Sequence, residues 1–280
     1  MKNRDIKIGF FGTPEYAVTT LDKLYNANFH IAFVVTNEDK PRGRNMLITP
    51  THVKQWTMDH NIEILQNKNL KDPVFEEILR KYSCDVFIVI GYGKIIPESI
   101  LNIPRAKSLN IHGSLLPRFR GPSPIEGAIL SDDRNTGVSI IRMDKDMDHG
   151  PIVAQKKVLV DEWPPYAEEL REKIVIEGSD LLVSILPDWI NDKIKEKEQD
   201  HDKASYTKII KKEDGQIDLE HDAYKNFLKI KAYGGWPSVF FFKHGKRIKI
   251  TEATYEDNKL IIKKVIPEGK KEMDYRDWLR

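Results

Sequence analysis

Short apolar runs alternate with helix-like segments through the first 90 residues, and this alternation constrains the fold more than any other feature. The runs 6–11, 31–36 and 86–90 are rich in β-branched and aromatic residues, and helix-like segments separate them. Strands that alternate with helices predict βαβ units and a parallel sheet. The unbroken apolar character of 86–90 is typical of a central strand covered on both faces. The predicted fold class is therefore α/β, with a Rossmann-like, mostly parallel sheet.

The remainder of the chain completes this sheet and adds a smaller module. Residues 138–143 and 152–160 are predicted as two strands joined like a hairpin, and 166–194 has helical spacing. Three short strand patterns follow near the end, at 239–242, 247–253 and 259–265. They predict a small, OB-like C-terminal β-barrel. We expect a main domain at 1–194, a linker at 195–203 and the barrel domain at 204–280.

Composition narrows the class of protein. No window approaches the ~20 apolar residues that a membrane span needs, so no membrane partner is expected. No secretion signal follows Met1, and Cys84 is the only cysteine. An intrachain disulfide and a Cys-based zinc site are therefore excluded, and a cytoplasmic protein is favoured.

Charge is distributed unevenly along the chain. The net charge is +2, yet residues 203–280 hold 18 Lys and Arg against 12 Asp and Glu. A basic surplus on a small module suggests a polyanionic partner. A lysine-rich solvated surface explains the same count equally well.

Two polar residues in a predicted strand are the first candidates for chemistry. Asn110 and His112 lie two positions apart, so their side chains project from one face of the strand. An Asn amide can donate to a developing oxyanion, and an imidazole can exchange a proton near neutral pH. The pair suits acyl transfer, although such residues are more often hydrogen-bonded parts of the structure.

A second candidate is the carboxylate cluster of Asp144, Asp146 and Asp148. A solvated turn or a metal loop is the common explanation for such a cluster. The glycine and the distal glutamate of a calcium-binding loop are missing, so no metal is expected. What remains is a carboxylate able to orient a nearby imidazole.

These segments resemble a known family, the folate-dependent formyltransferases. Residues 110–117 read NIHGSLLP, with RFRG after them, and are similar to the catalytic signature of that family. Residues 137–150 resemble the segment that supplies its catalytic aspartate. Similar segments also occur at 11–14, 91–97 and 267–271, so the resemblance covers essentially the whole chain.

The resemblance implies roles for individual residues. Asn110 and His112 would bind the formyl oxygen and manage protons, while Asp148 would position His112. The implied formyl donor is 10-formyltetrahydrofolate, as a co-substrate. The implied folate contacts are Tyr92, Gly93, Ile95, Ser114, Leu115, Leu116 and Pro117.

The acceptor implied by the resemblance is the amine of initiator methionyl-tRNA, bound by a monomer. The loop 39–45 would enter the acceptor end, where Arg42 and Arg44 would contact phosphates or unpaired bases. Met46 and Leu47 stand where two lysines are common, which predicts weaker phosphate contact. The inner side of the tRNA is expected on a basic face of the C-terminal module: Lys208, Lys211, Lys212, Lys246, Arg247 and Lys249.

Two other functions remain open. A formyltransferase for a small amine, such as an amino sugar nucleotide or a purine precursor, would share Asn110, His112 and Asp148 but would not need a basic C-terminal module. A non-catalytic tRNA-binding protein could keep the fold without the reaction, because a fold alone does not prove activity.

Overall fold

A computed structural model describes residues 2–42 and 46–280, except the side chain of Arg42. The chain divides into two compact units. The first comprises Met1–Arg118, Gly137–Val158 and Lys173–Ala204. The second comprises Phe119–Thr136, Leu159–Glu172 and Ser205–Arg280.

The elements alternate along the first part of the chain and become β-rich toward its end. The strands are β1 (Lys7–Gly12), β2 (His30–Val35), β3 (Lys40–Arg42), β4 (Leu47–Thr49), β5 (Glu63–Leu65), β6 (Val86–Ile90), β7 (Ser108–His112), β8 (Gly137–Arg142), β9 (Ile152–Lys157), β10 (Val239–Lys243), β11 (Lys246–Glu256), β12 (Lys259–Pro267) and β13 (Met273–Asp274). The helices are α1 (Tyr16–Asn26), α2 (His52–Asp59), α3 (Pro73–Lys81), α4 (Glu98–Leu101), α5 (Pro124–Leu130), α6 (Ala167–Ile190), α7 (Ala223–Tyr233) and α8 (Tyr275–Trp278). None of the helices in the described ranges is long and apolar enough to cross a membrane.

The first unit is built on a seven-stranded sheet in the order β5-β2-β1-β6-β7-β8-β9. Strands β5 to β7 in this order pair in parallel, and β8 and β9 continue the sheet antiparallel. Every residue of β6 is buried, as expected for a strand covered on both faces. The Rossmann-like fold class and the antiparallel β8–β9 pair are therefore confirmed.

Aromatic side chains from three neighbouring strands fill one face of this sheet. Phe11, Phe33 and Phe87 are each at most 1% exposed. Their ring centroids lie 5.3 to 6.2 Å apart in tilted or edge-to-face arrangements, which aromatic pairs prefer. These rings form part of the hydrophobic core on that face of the sheet.

Strands β3 and β4 and the short helix α4 of the first unit were not predicted. Strands β3 and β4 form a short antiparallel hairpin where the sequence indicates only a basic loop. The side chains of Leu47 and Ile48 are adjacent apolar residues that are both exposed. The sequence there lacks the alternation of apolar and polar residues that predicts a half-buried strand.

The second unit contains a four-stranded antiparallel sheet in the order β10-β11-β12-β13. The predicted turns at 244–245 and 257–258 are both present, with all four residues at positive φ. Such turns match the twist of a hairpin. The sheet confirms the predicted small β module. Helix α7, begun by Asp222 as its capping residue, was not predicted.

Candidate active site

Strand β7 carries the first two candidate residues at the carboxyl end of the parallel strands. Leu109 and Ile111 are buried on one side, while Asn110 and His112 project from the other. The His112 side chain is only 5% exposed. Asn110 is paired with Val89 of the neighbouring strand β6. This is the sheet edge at which open α/β sheets bind ligands.

Asp148 lies between these two side chains. Asn110 Nδ2 donates a hydrogen bond to Asp148 Oδ1 at 3.4 Å. His112 Nδ1 lies 3.5 Å from Asp148 Oδ2, an ion-pair distance when the imidazole is protonated. The Asp148 side chain is 14% exposed, so the carboxylate is largely shielded from solvent. The structure thus brings together the three residues that were predicted as catalytic.

The loop that carries Asp148 gives the three clustered carboxylates different surroundings. Asp144 Oδ2 pairs with His149 Nδ1 at 2.7 Å, and Asp144 Oδ1 accepts from the backbone of Asp146. Asp146 is exposed. Asp148 has a φ of 51°, in the left-handed region that non-glycine residues seldom adopt. Only Asp148 points to the end of β7.

One group of potential metal ligands lies in this loop. Among the residues that the structure describes, ligand atoms of Asp144, Asp146 and His149 lie within 4.8 Å of one another. The hydrogen bond between Asp144 and His149 accounts for that proximity, and the cluster is open to solvent. The absence of a metal stays a prediction.

A second loop, at 113–118, follows β7 and is fixed by buried hydroxyls. Ser139 Oγ donates to the Ser114 carbonyl at 2.6 Å and accepts from the Leu116 amide at 3.0 Å. Gln155 Nε2 donates to the Leu116 carbonyl at 2.9 Å. The peptide bond between Leu116 and Pro117 is cis. Side chains of β8 and β9, the antiparallel strands of the sheet, therefore hold this loop in place.

The residues predicted to contact folate follow two adjacent strands. Ser114, Leu115, Leu116 and Pro117 follow β7, and Tyr92, Gly93 and Ile95 follow β6. Leu116 and Ser114 are buried, whereas the Ile95 side chain is 83% exposed. Gly93 is exposed, with a φ of 76°, and a Cβ added there would lie 3.9 Å from Asn37 Nδ2.

The side chain of Tyr92 is buried instead of exposed at the surface. Its ring packs edge-to-face on Phe11 at 5.6 Å, and it is 2% exposed. Burial raises the pKa of its hydroxyl to about 12. The Tyr92 carbonyl accepts a hydrogen bond from Asn37 Nδ2 at 2.9 Å. Asn37 Oδ1 and the Tyr92 hydroxyl have no partner among the described residues.

The structure describes only some of the side chains that were predicted to contact tRNA. Arg44 and the side chain of Arg42 lie outside the described residues. Lys208, Lys211, Lys212, Lys246 and Arg247 are exposed, and Lys249 is half-buried. Lys208 Nζ lies 3.3 Å from Asp214 Oδ1, so its charge is partly matched. The Arg247 guanidinium lies 3.9 Å above the Phe240 ring.

Sequence reasoning missed the residues that support the site. Ser139 and Gln199 are buried and Gln155 is exposed, and all three hydrogen-bond the loops that carry candidate residues. Ser139 and Gln155 lie in predicted strands, and Gln199 lies in the predicted linker. None carries a sequence signal, because its partners are distant along the chain.

Two family models match the chain. The Formyl transferase model matches residues 6–186, and the Formyl transferase, C-terminal domain model matches residues 209–259. With this fold and this arrangement of polar residues, the chain belongs to the formyl transferase family, whose members are transferases.

Similar proteins of known name cover most of the chain. A methionyl-tRNA formyltransferase of Chloroflexus aggregans is 42% identical over 89% of this chain and 80% of its own length. One from Thermotoga maritima is 37% identical over 90% and 80%.

Solved structures share the fold at low sequence identity. A sugar N-formyltransferase from Shewanella sp. has a TM-score of 0.67 at 17% identity, covering 88% of this chain and 97% of that one. A methionyl-tRNA formyltransferase from Clostridium thermocellum has a TM-score of 0.63 at 18% identity, covering 94% and 98%.

Proposed function

We propose that this chain transfers a formyl group from 10-formyltetrahydrofolate to the α-amine of initiator methionyl-tRNA. The observation that carries the proposal is the convergence of Asn110, His112 and Asp148 at the carboxyl edge of the sheet. The choice of acceptor is supported by curated relatives named methionyl-tRNA formyltransferase, for example at 38% and 42% identity. The product, N-formylmethionyl-tRNA, serves translation initiation in the cytoplasm.

The reaction needs stabilisation of charge on oxygen. The amine nitrogen bonds to the formyl carbon, the bond from that carbon to the folate nitrogen breaks, and a proton moves from the amine to the departing nitrogen. Asn110 donates an amide hydrogen to the oxyanion that forms on the way. Removal of one such donor typically costs on the order of 10²–10³ in rate.

His112 carries the proton. Its Nδ1 faces the Asp148 carboxylate, so its Nε2 is the atom assigned to proton exchange with the reacting groups. Asp148 keeps one tautomer of the ring and stabilises the imidazolium once it forms. Because the His112 side chain is 5% exposed, this charge interaction is screened less than at the surface.

The co-substrate fits the groups that follow β6 and β7. The folate supplies the activated formyl group, and Ser114, Leu115, Leu116 and Pro117 are proposed to hold its ring system. On the β6 side, the buried oxygen of Asn37, whose amide nitrogen bonds the Tyr92 carbonyl, has no hydrogen-bond partner among the described residues, and an amino-substituted heterocycle would offer it an N–H donor. Gly93 and Ile95 present open surface for the remainder.

The tRNA is assigned to the basic residues. We keep 1–194 as the catalytic domain, 195–203 as the linker and 204–280 as the tRNA-binding domain, with the surplus of Lys and Arg in 203–280 as support. Arg42 and Arg44 are proposed to contact the acceptor end, and the exposed lysines to contact phosphates.

A competition assay tests the acceptor. Labelled formyl-folate is offered with methionyl-tRNA or with an amino sugar nucleotide, and product is quantified for each. Transfer to methionyl-tRNA alone is expected, with initiator preferred over elongator tRNA. Transfer to the sugar nucleotide alone would establish the small-amine alternative. Tight tRNA binding without any transfer would establish the non-catalytic one.

A further inference from the structure

Gln199 is a buried residue within a highly charged part of the chain whose other residues are exposed. It is 5% exposed, whereas the other residues of 195–200 are exposed. Its side-chain amide donates to the Asp148 carbonyl at 2.9 Å and to the Gly150 carbonyl at 2.7 Å. One NH₂ group has two hydrogens, so both bonds are made together. Gln199 therefore holds the backbone on either side of His149.

The segment around Gln199, residues 194–203, is itself attached to the same part of the first unit. Lys197 exchanges two backbone hydrogen bonds with Ile152, at 2.7 and 2.8 Å. Glu196 forms a bidentate ion pair with Arg142, at 2.6 and 2.7 Å. These contacts lie at the ends of β8 and β9, the two strands that the Asp148 loop connects. The segment that carries Gln199 is thus held in place beside the loop.

The loop needs such an attachment. Asp148 adopts a φ of 51°, which costs free energy for a residue with a side chain. Gly150 packs so close to the Arg142 carbonyl oxygen that a side chain at this position would collide with it. A conformation of this kind persists only where surrounding contacts determine it. The two bonds from Gln199 are such contacts.

We propose that Gln199 is a positioning residue for the transfer reaction, acting through the Asp148 loop. By fixing the carbonyls of Asp148 and Gly150, it keeps the Asp148 carboxylate between Asn110 and His112. The inference rests on the proposed function, because it assumes that Asp148 acts on His112. Gln199 itself does not touch a reacting atom.

The primary variants are Q199A, which removes both donors, and Q199E, which keeps the volume but presents oxygen to two carbonyls. A misplacement of about 1 Å in a catalytic group can cost about 10²-fold in rate. We expect kcat for methionyl-tRNA formylation to fall about 10- to 100-fold, with the KM values for tRNA and folate within about 2-fold. E198Q, an exposed neighbour, is the matched control and should keep kcat within about 2-fold.

The deciding measurement is a double-mutant cycle in single-turnover assays. If Gln199 acts through Asp148, adding Q199A to D148N should cause no further loss beyond about 2-fold. An equal fold-loss in both backgrounds would overturn the proposal, since that is how a general structural effect behaves. Thermal unfolding of each variant verifies folding, and Q199E carries the comparison if Q199A does not fold.

The outcomes separate this inference from the proposed function. Full activity of D148N would refute the assigned role of Asp148 itself. Loss of activity in D148N together with wild-type kcat in Q199A and Q199E would refute only the positioning role. A loss in the Gln199 variants that appears in KM instead of kcat would also refute it.

Discussion

Replacement of Asp148 by Asn tests the centre of the site with the smallest change of shape. The substitution keeps the side-chain size and removes one negative charge 3.5 Å from His112 Nδ1. At an effective dielectric constant of about 20, two unit charges at that distance attract by about 5 kcal/mol. In the proposed reaction His112 becomes an imidazolium as it takes the proton, so this attraction would favour the transition state over the ground state.

The expected loss follows from that energy. Each 1.36 kcal/mol corresponds to a factor of ten in rate, so 5 kcal/mol corresponds to about 10³- to 10⁴-fold. Because the attraction is absent in the substrate complex, the loss should appear in kcat, with the KM for methionyl-tRNA nearly unchanged. Single-turnover formylation with labelled formyl-folate and excess enzyme measures such slow rates.

A matched control lies two residues away in the same loop. Asp146 is exposed and carries the same charge, so D146N changes the net charge identically without altering the end of β7. We expect its kcat to stay within about 2-fold of the wild type. A loss below about 10-fold in D148N, or similar losses in the two variants, would refute the assignment of Asp148 to His112.

Three further outcomes are expected. H112A should abolish formyl transfer and leave tRNA affinity within a few-fold, because it removes the proton carrier alone; equal loss of both would indicate misfolding or a wrong site. tRNA affinity should fall steeply with salt, and K211A combined with K212A should reduce the slope by about 1 to 2; a flat wild-type dependence would refute the basic-face argument. Burial raises the pKa of the Cys84 thiol to about 12, so at pH 8 alkylation should require denaturant; rapid alkylation of native protein would contradict this.

The sequence predicted those features that depend on neighbouring residues. Alternating apolar runs indicated the parallel sheet, and the turn residues at 244–245 and 257–258 indicated the hairpins. The β3–β4 hairpin was missed because its strands are short and exposed. Helix α7 was missed although its capping residue, Asp222, is a common signal for the start of a helix.

Long-range polar contacts could not be predicted in the same way. Gln199 and its partners Asp148 and Gly150 are about 50 residues apart in sequence, and nothing in a charged, aperiodic segment marks one residue as buried. Ser139 is likewise an ordinary strand residue until β8 is paired with β7, which brings it beside His112. Such residues acquire their contacts only from the tertiary pairing of strands.

The Asp148 loop shows how three similar carboxylates become different. Asp144 is held by His149 and by the backbone of Asp146, and Asp146 remains in solvent. Asp148 alone adopts the left-handed backbone that directs it to the end of β7. A carboxylate with that geometry stays in place only while the loop is held. The amide of Gln199 holds the loop by donating hydrogen bonds to the carbonyls of Asp148 and Gly150. A change that detaches residues 194–203 is thus expected to displace the Asp148 carboxylate from His112 as well.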